Sequence, residues 1–499
     1  MKKDCLTKKK IISLMLTVSL LVGLLPASVF AETEVEEASA FQQKEYIEED
    51  TVFASVFAEA DQEYIDEDTS LKTLVLEEVN NSCNNNELIC ELFGVSENGG
   101  KNNRLLDYSF DSKGDLIEIA KPLDNRRIDK QYSITETEKK MPIIANKVAT
   151  LFNLDYEYQI SKPFAFDENR DFFCISKELE NGIINDYQSV KMCMDMRTLE
   201  LVVAHKFNYE PNTLYPDITK EEAIRIANSE YEEESEKIIP SSVYLSYVRP
   251  EKYCNTNVRY KTENSYLAYM VEYDNGSVIT VVDAVSGEVI GHDMLMGDGA
   301  KCFVIKESPT KADYNYRKGN PAQVASFNRC REDNLRWAQV GFARLGYSVT
   351  NNNLCTGNIY GNVKNWIRNQ PNAYALYINC HGSRDHFLSY YKAENIILKI
   401  EDVVGNWHFV YLDACNTAID TAWAEEFNIY GYSRRAYLGW SSTVLLSNTH
   451  EFNSYFWDLL NGTRPVQDAA VRAADRVPGQ GTTPIRFWGD NSYNGRSWS

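Results

Sequence analysis

Two reactive side chains each follow an apolar run of the sequence. The run 373–380 (AYALYINC) leads directly into His381, and the run 408–414 (HFVYLDA) leads into Cys415. Apolar runs of this kind, alternating with helical patterns, predict buried parallel strands with helices on both faces of the sheet. Because the carboxyl ends of parallel strands meet at one edge of a sheet, we expect the imidazole and the thiol to lie close together.

The same alternation of apolar runs and helical patterns predicts further elements of this region. They include a strand over Lys301–Lys306 and helices over Asp333–Leu345 and His450–Leu460.

An imidazole beside a thiol is the pairing that nucleophilic catalysis needs. The thiolate is the nucleophile, and the imidazole helps to form it and then protonates the leaving amine. Gly382 allows the main chain to approach a substrate closely, so the N–H groups of Gly382 and Cys415 are the predicted oxyanion hole. Trp440 and Ser441 follow the next apolar run and are candidates for lining the substrate cleft, although a tryptophan more often packs in a core.

Other histidines compete for the role of the base. His386 lies five residues beyond His381, and His408 starts the run that ends at the cysteine. His450 follows Cys415, which is the order in papain-like enzymes, but the context C-G-[SA]-C-[WY] is absent. A cysteine at a strand end is also often a buried apolar residue without a reaction. Two further histidines are predicted to be structural: His205 and His292.

The segments YINCHGS and VYLDACNTA, in this order, resemble the caspase-like (clan CD) cysteine peptidases, which include caspases, legumain, gingipain and clostripain. The segments RRAYLGWSSTV and GTRPVQDAAVRAA resemble the bacterial members, so that the likeness covers 301–499 and is greatest for enzymes of the clostripain and gingipain type. It implies a caspase-like, mostly parallel sheet flanked by helices, with His381 and Cys415 as the catalytic dyad. The caspase signature Q-A-C-[RQG]-G is absent, since Cys415 follows Asp-Ala and precedes Asn-Thr.

In clostripain-like enzymes, the aspartate of a D-A-C triplet binds a basic side chain at the substrate position P1. The resemblance therefore implies that Asp413 binds substrate Arg or Lys through charge-assisted hydrogen bonds. Strand alternation predicts that Asp413 and Cys415 share a face, which favours this role. The alternative is that Asp413 faces the helices or caps a loop.

Two units with helix-then-strand patterns precede this region. Each begins with a threonine and a glutamate at capping-box spacing, Thr135 with Glu138 and Thr219 with Glu222. Each ends in alternating strands joined by a turn of the form D-x-x-[TS]-x-E. The second unit (ITKEEAIRIA, LAYMVEY, VVDAVSGEVI) resembles PepSY domains and the propeptides of thermolysin-type proteases, and the first resembles them more loosely. The resemblance implies α+β pro-domains that chaperone or inhibit a following peptidase; a structural or binding module is the alternative.

The chain starts with a pattern typical of an exported protein. Lysines precede an apolar run and a small-residue cleavage pattern, which predicts a signal peptide over 1–31 and a secreted, extracellular product without a membrane segment. Residues 32–70 hold fourteen acidic residues and one lysine, which predicts an acidic, disordered linker. The predicted domains are then 71–212, 213–297 and 298–499.

Composition excludes some classes of partner. The net charge of −21 argues against nucleic acid, because phosphate binding needs clustered Lys and Arg. There are eleven cysteines but no C-x-x-C pair, which argues against structural zinc; Cys83 and Cys90 are a candidate disulfide. No metal or cofactor is expected, and the sequence says nothing for or against calcium.

These observations predict a secreted cysteine endopeptidase made as a zymogen, which cleaves peptides or proteins after Arg or Lys. Its partners are the substrate and its own pro-region. Self-cleavage is expected near Lys301, Lys311 or Arg317. Two alternatives remain: a catalytically inactive caspase-like domain that serves as an extracellular binding module, and a Cys-His transpeptidase.

Overall fold

The structure, a computed structural model, describes residues 83–94, 106–111, 113–121, 123, 132–231, 239–253, 263–273, 278–294, 321–347, 349, 359–369, 375–388 and 396–496. These residues all belong to one compact unit, 70–499. Several predicted features lie outside the described residues: the signal peptide, the acidic linker, a strand over Lys301–Lys306 and the cleavage sites at Lys301, Lys311 and Arg317.

The first sheet is antiparallel and follows helix α1 (Cys83–Phe93). Its described strands are β1 (Asp107–Phe110), β2 (Leu116–Ala120), β3 (Tyr158–Ile160), β4 (Phe164–Ala165), β5 (Arg170–Glu178), β6 (Ile184–Asp195) and β7 (Glu200–Asn208). Their spatial order is β1-β2-β7-β6-β5-β3, with β4 also paired to β5. Helix α2 (Ile134–Leu151) covers one face.

The start of α2 differs from the prediction by two residues. Ser133, not Thr135, is the N-cap, because its extended backbone lets its hydroxyl accept the Glu136 N–H at 3.3 Å while the Glu136 carboxylate accepts the Ser133 N–H at 2.8 Å. The predicted Cys83–Cys90 disulfide is wrong, since both residues lie on α1. Seven residues of helix separate Cα atoms by about 10 Å, which is beyond the reach of a disulfide.

The two faces of the first sheet pack against different partners. Phe173, Ile175 and Met192 belong to the core that contains α2. Phe172 and Cys193, one position along the strands, belong to a core shared with the C-terminal part of the chain. Because successive strand residues point to opposite faces, the sheet is buried on both sides.

The second sheet carries helix α3 (Lys220–Ser229). Its described strands are β8 (Glu210–Pro211), β9 (Ser242–Val248), β10 (Asn264–Tyr273), β11 (Val278–Asp283) and β12 (Val289–Met294). Thr219 is the N-cap of α3, as predicted, and its hydroxyl accepts the Glu222 N–H at 3.1 Å. The predicted turn between β11 and β12 is also confirmed: Asp283 Oδ1 accepts the N–H groups of Val285 and Ser286 at 2.8 and 2.9 Å.

The C-terminal part contains a third sheet, which mixes parallel and antiparallel pairing. Its strands are β13 (Ala375–Asn379), β17 (Phe409–Asp413), β18 (Ala436–Trp440) and β19 (Ile485–Gly489), in this spatial order. The pairs β13–β17 and β17–β18 are parallel, and β18–β19 is antiparallel. A small antiparallel sheet lies beyond the end of β13: β14 (His381–Gly382), β15 (His386–Leu388) and β16 (Ile396–Lys399).

Five of the described α-helices belong to the C-terminal part of the chain. They are α4 (Pro321–Arg344), α5 (Ile359–Arg368), α6 (Ala422–Glu426), α7 (Leu446–Leu459) and α8 (Val466–Asp475). Helix α4 begins twelve residues before the predicted Asp333, with a proline at the first helical position, where its missing N–H costs nothing. The coarse prediction of a mixed α/β protein is therefore confirmed, with both parallel and antiparallel pairing. None of the described helices is long and apolar enough to span a bilayer.

Candidate active site

The parallel pair β13 and β17 places the predicted dyad at one edge of the sheet. Asn379 and Asp413 are register partners, and the Cys380 N–H continues the ladder by donating to the Asp413 carbonyl at 3.2 Å. His381 and Cys415 each lie two residues beyond this register pair, just past the ends of β13 and β17. Both are buried, with 1% and 0% of their surfaces exposed.

Gly382 lies directly against the cysteine segment. A Cβ atom at Gly382 would come within 2.7 Å of the Cys415 carbonyl oxygen and 2.8 Å of the Ala414 Cβ. Contacts this short exclude any side chain without a shift of the main chain, so glycine is required here by close approach. The His381–Gly382 segment and the Cys415 segment therefore adjoin at the carboxyl ends of their strands.

The sulfur of Cys415 is held by the loop 441–445, which joins β18 to α7. The Val444 N–H donates to Cys415 Sγ at 3.0 Å, and the thiol donates to the Val444 carbonyl at 3.6 Å. The next residue, Asn416, has a left-handed backbone with φ of 61°, and its N–H donates to the Ser442 carbonyl at 3.2 Å. Asparagine tolerates this conformation better than most residues. In this arrangement the loop 441–445 covers the thiol.

Asp413 has no exposed surface. Its Oδ2 accepts hydrogen bonds from the Tyr377 hydroxyl at 2.8 Å and from the side-chain amides of Asn379 and Asn453 at 2.7 and 2.8 Å. Its Oδ1 accepts the Trp440 Nε1–H at 2.8 Å. Burial raises the pKa of Asp413 even though these four donors oppose the shift. The carboxylate thus ties β13, β17, β18 and α7 together.

Strand alternation was expected to place Asp413 and Cys415 on the same face, but the strand ends before it reaches Cys415. The Ala414 N–H donates to the Leu412 carbonyl at 2.9 Å, which is a tight turn, and β17 ends at Asp413. That argument from strand periodicity is therefore wrong at this point. The partners of Asp413 were also missed, although the polar Asn379 inside an otherwise apolar run was a visible signal.

Trp440 and Ser441, the candidate cleft residues, have different surroundings. Trp440 is fully buried, and its ring lies 5.4 Å from that of Phe452. Ser441 is half-buried, and its N–H and hydroxyl donate to the Pro484 carbonyl at 2.8 and 3.1 Å. In this structure Trp440 packs in the core, and Ser441 fixes the start of the loop 441–445.

His386 lies close to His381 in the sequence, on the same small sheet. Its Nδ1 lies 2.9 Å from the Ser383 hydroxyl and 2.6 Å from Asp385 Oδ1. His408 lies at the opposite end of β17 from Cys415, and burial together with the charges of Arg435 and Arg434 lowers its pKa.

The remaining histidines contact carboxylates away from Cys415. His450 Nε2 lies 3.2 Å from Asp333 Oδ2. In the first sheet, His205 Nδ1 lies 3.2 Å from Glu118 Oε2. In the second, His292 Nε2 lies 3.5 Å from a carboxylate oxygen of Glu230. No group of His, Cys, Asp and Glu among the described residues is arranged to hold a metal ion.

Comparison with known proteins adds little to this geometry. No protein-family model matches the chain, and no curated protein matches it. Among solved structures, the chain is similar to the Bacillus megaterium YpeB C-terminal domain, with 14% sequence identity and coverage of 42% of this chain and 96% of that chain. The TM-score of 0.26 is too low to indicate a common fold.

Proposed function

We propose that the chain is a cysteine endopeptidase of the caspase-like fold, made as an exported precursor. Residues 298–499 form the peptidase, and residues 71–297 form an inhibitory pro-region of PepSY-like units. One observation carries the proposal: the His381–Gly382 segment adjoins Cys415 at the carboxyl ends of two adjacent parallel strands. Active sites of parallel α/β sheets lie at this edge.

The reaction follows from the chemistry of these side chains. The His381 imidazole takes the thiol proton, and the Cys415 thiolate attacks the carbonyl carbon of the scissile peptide bond. The N–H groups of Gly382 and Cys415 stabilise the oxyanion. The imidazolium then donates its proton to the leaving amine as the C–N bond breaks. Water, activated by the same imidazole, hydrolyses the thioester and restores the thiol.

Self-cleavage tests the proposal in the full chain. We expect the purified precursor to be cut near Lys301, Lys311 or Arg317, and we expect the Cys415→Ala chain to stay intact under the same conditions. Equal cutting of both chains, or of neither, would contradict self-activation. The control is Cys90→Ala, which removes a half-buried thiol on α1 and should leave cutting unchanged.

The predicted preference for Arg or Lys at P1 depends on access to Asp413. In the precursor, four donors already occupy this buried carboxylate. A basic P1 side chain would therefore have to displace some of them when the site opens. A peptide library scored at P1 on the processed enzyme separates two roles: a basic preference supports substrate binding, and an acidic or apolar preference leaves Asp413 as a positioning residue only.

A second candidate function is an inactive binding module. The observation that favours it is the burial of Cys415, whose sulfur accepts a hydrogen bond from the main-chain N–H of Val444. A thiol that stays unreactive in the folded, processed protein would support this role. A transpeptidase would use the same dyad, and the mass of the product distinguishes ligation from hydrolysis.

A further inference from the structure

Helix α7 begins without a capping side chain of its own. Its N-cap residue is Leu445, which has no side-chain acceptor for the first N–H groups of the helix, and such groups need partners when they are buried. The acceptor comes from the second sheet. Asp293 of β12 accepts the Ser447 N–H at 3.2 Å on Oδ1, and its Oδ2 accepts the Ser447 hydroxyl.

This contact is shielded from water. Asp293 is 1% exposed and Ser447 is 2% exposed. The carboxylate also lies at the positive end of the helix dipole, where a negative charge is stabilised. Charge-assisted hydrogen bonds are stronger than neutral ones, so the carboxylate of Asp293 is a strong polar link between β12 and the start of α7.

The same sheet also holds the residue before the helix. Leu445 packs against a buried cluster of the second sheet that includes Val248, Met270 and Val281. The residue before it, Val444, makes two main-chain contacts with Cys415 Sγ. Three consecutive contacts thus run from the thiol through Val444 and Leu445 to Ser447 and the second sheet.

We propose that Asp293 is an autoinhibitory latch, which keeps the loop 441–445 closed over the thiol of Cys415. While Asp293 holds Ser447, the start of α7 is fixed and Val444 stays on the sulfur. Release of Asp293 lets the loop move and exposes the thiol. This inference rests on the proposed function in one respect: exposure of the thiol is taken to give a peptide substrate access to it.

The test is the rate of alkylation of Cys415 in the full-length chain. The probe is iodoacetamide, and labelling is read at each cysteine by peptide mass spectrometry. Asp293→Ala should speed labelling of Cys415 at least about tenfold, since the loss of about 1.4 kcal/mol from the closed state is a factor of ten. Ser447→Ala, which keeps the N–H bond and loses only the hydroxyl bond, should give a smaller rise.

Two controls separate local opening from unfolding. Cys193, fully buried in the first sheet, should keep its slow labelling in both variants. Asp195→Asn removes an ion pair to Arg197 at similar burial and should leave Cys415 unchanged. Unchanged Cys415 labelling in Asp293→Ala, or a parallel rise at Cys193, would overturn the latch. Neither result depends on peptidase activity: a Cys415 that becomes reactive but hydrolyses no peptide contradicts the proposed function and leaves the latch supported.

Discussion

The two sheets of the N-terminal part meet the C-terminal part in different ways. The first sheet docks by a whole face: Phe172, Cys193 and Val203 join the C-terminal core. The second sheet contacts α4 and α7 through β12, and α7 also through the segment Pro250–Tyr253. Its apolar cluster packs against Leu445, at the end of the loop that covers the thiol. A broad buried face favours attachment, because hydrophobic stabilisation grows with the apolar area buried. A contact at the loop 441–445 favours control of access to the thiol.

Polar contacts sharpen the difference. At the first sheet, the fully buried Lys191 donates to the Val477 carbonyl at 3.0 Å and to the Thr482 hydroxyl at 2.7 Å. Arg476 donates to the buried Glu118 at 2.9 Å. These partner residues lie outside the loop 441–445. We therefore infer that the first sheet holds the proposed pro-region in place and that the second sheet governs access to the proposed site.

The largest expected effect comes from truncating the docking face. Consider a chain with an engineered protease site between Met294 and Pro321, cut in its folded state. Phe172→Ala should raise the dissociation constant of its two fragments roughly 100- to 4,000-fold, because deleting a buried phenylalanine costs about 3–5 kcal/mol. Phe173→Ala is the matched control, since Phe173 faces α2. It should lower the melting temperature with little change in the dissociation constant; equal changes in that constant would remove the distinction between the two faces.

A second prediction concerns acid. Burial alone would raise the pKa of Glu118, but the hydrogen bond from His205 and the charge of Arg476 lower it from 4.5 to about 2. The ionised form therefore stabilises the folded chain by about 3 kcal/mol. This contribution is fully present above pH 4.5 and is lost as the pH falls towards 2.

Unfolding free energies of the wild type and Glu118→Gln measure that contribution. We expect the wild type to be more stable at pH 7. The difference in unfolding free energy between the two chains should shrink steadily between pH 5 and pH 2. A difference in unfolding free energy that stays constant over this range would show that the charge of Glu118 does not stabilise the folded chain.

The smallest expected effect concerns Trp440, the residue directly before the loop 441–445. Trp440→Phe removes one donor from the buried carboxylate of Asp413, which should cost about 2 kcal/mol of folding free energy. Because Trp440 directly precedes this loop, labelling of Cys415 should rise slightly, by less than in Asp293→Ala. A rise larger than that of Asp293→Ala would place control of the thiol inside the C-terminal part and not at the second sheet.

Local sequence patterns predicted the elements that carry the proposed dyad, His381 and Cys415. Apolar runs that end in His381 and Cys415 became adjacent parallel strands, and Thr219 capped its helix. These features depend on neighbouring residues and on strand direction, which a sequence displays directly.

The features that were missed depend on residues far apart in the chain. Helix α7 was predicted to start at His450 but starts at Leu446, because its cap is Asp293 of another sheet. Likewise, Asn453 completes the hydrogen bonds of Asp413 from a helix that begins well after it. Periodicity and capping rules read only nearby positions, so they contain no information on such contacts.

The pairing of His381 with Cys415 is tested most directly by alkylating the protein cut between Met294 and Pro321 with iodoacetamide at pH 6.5. A free thiol is only slightly ionised at this pH, and a neighbouring imidazolium favours the thiolate. We predict that His381→Ala slows labelling of Cys415 by at least about tenfold, whereas His386→Ala and His408→Ala change it little. Labelling of Cys415 at the same rate with and without His381 would contradict the dyad.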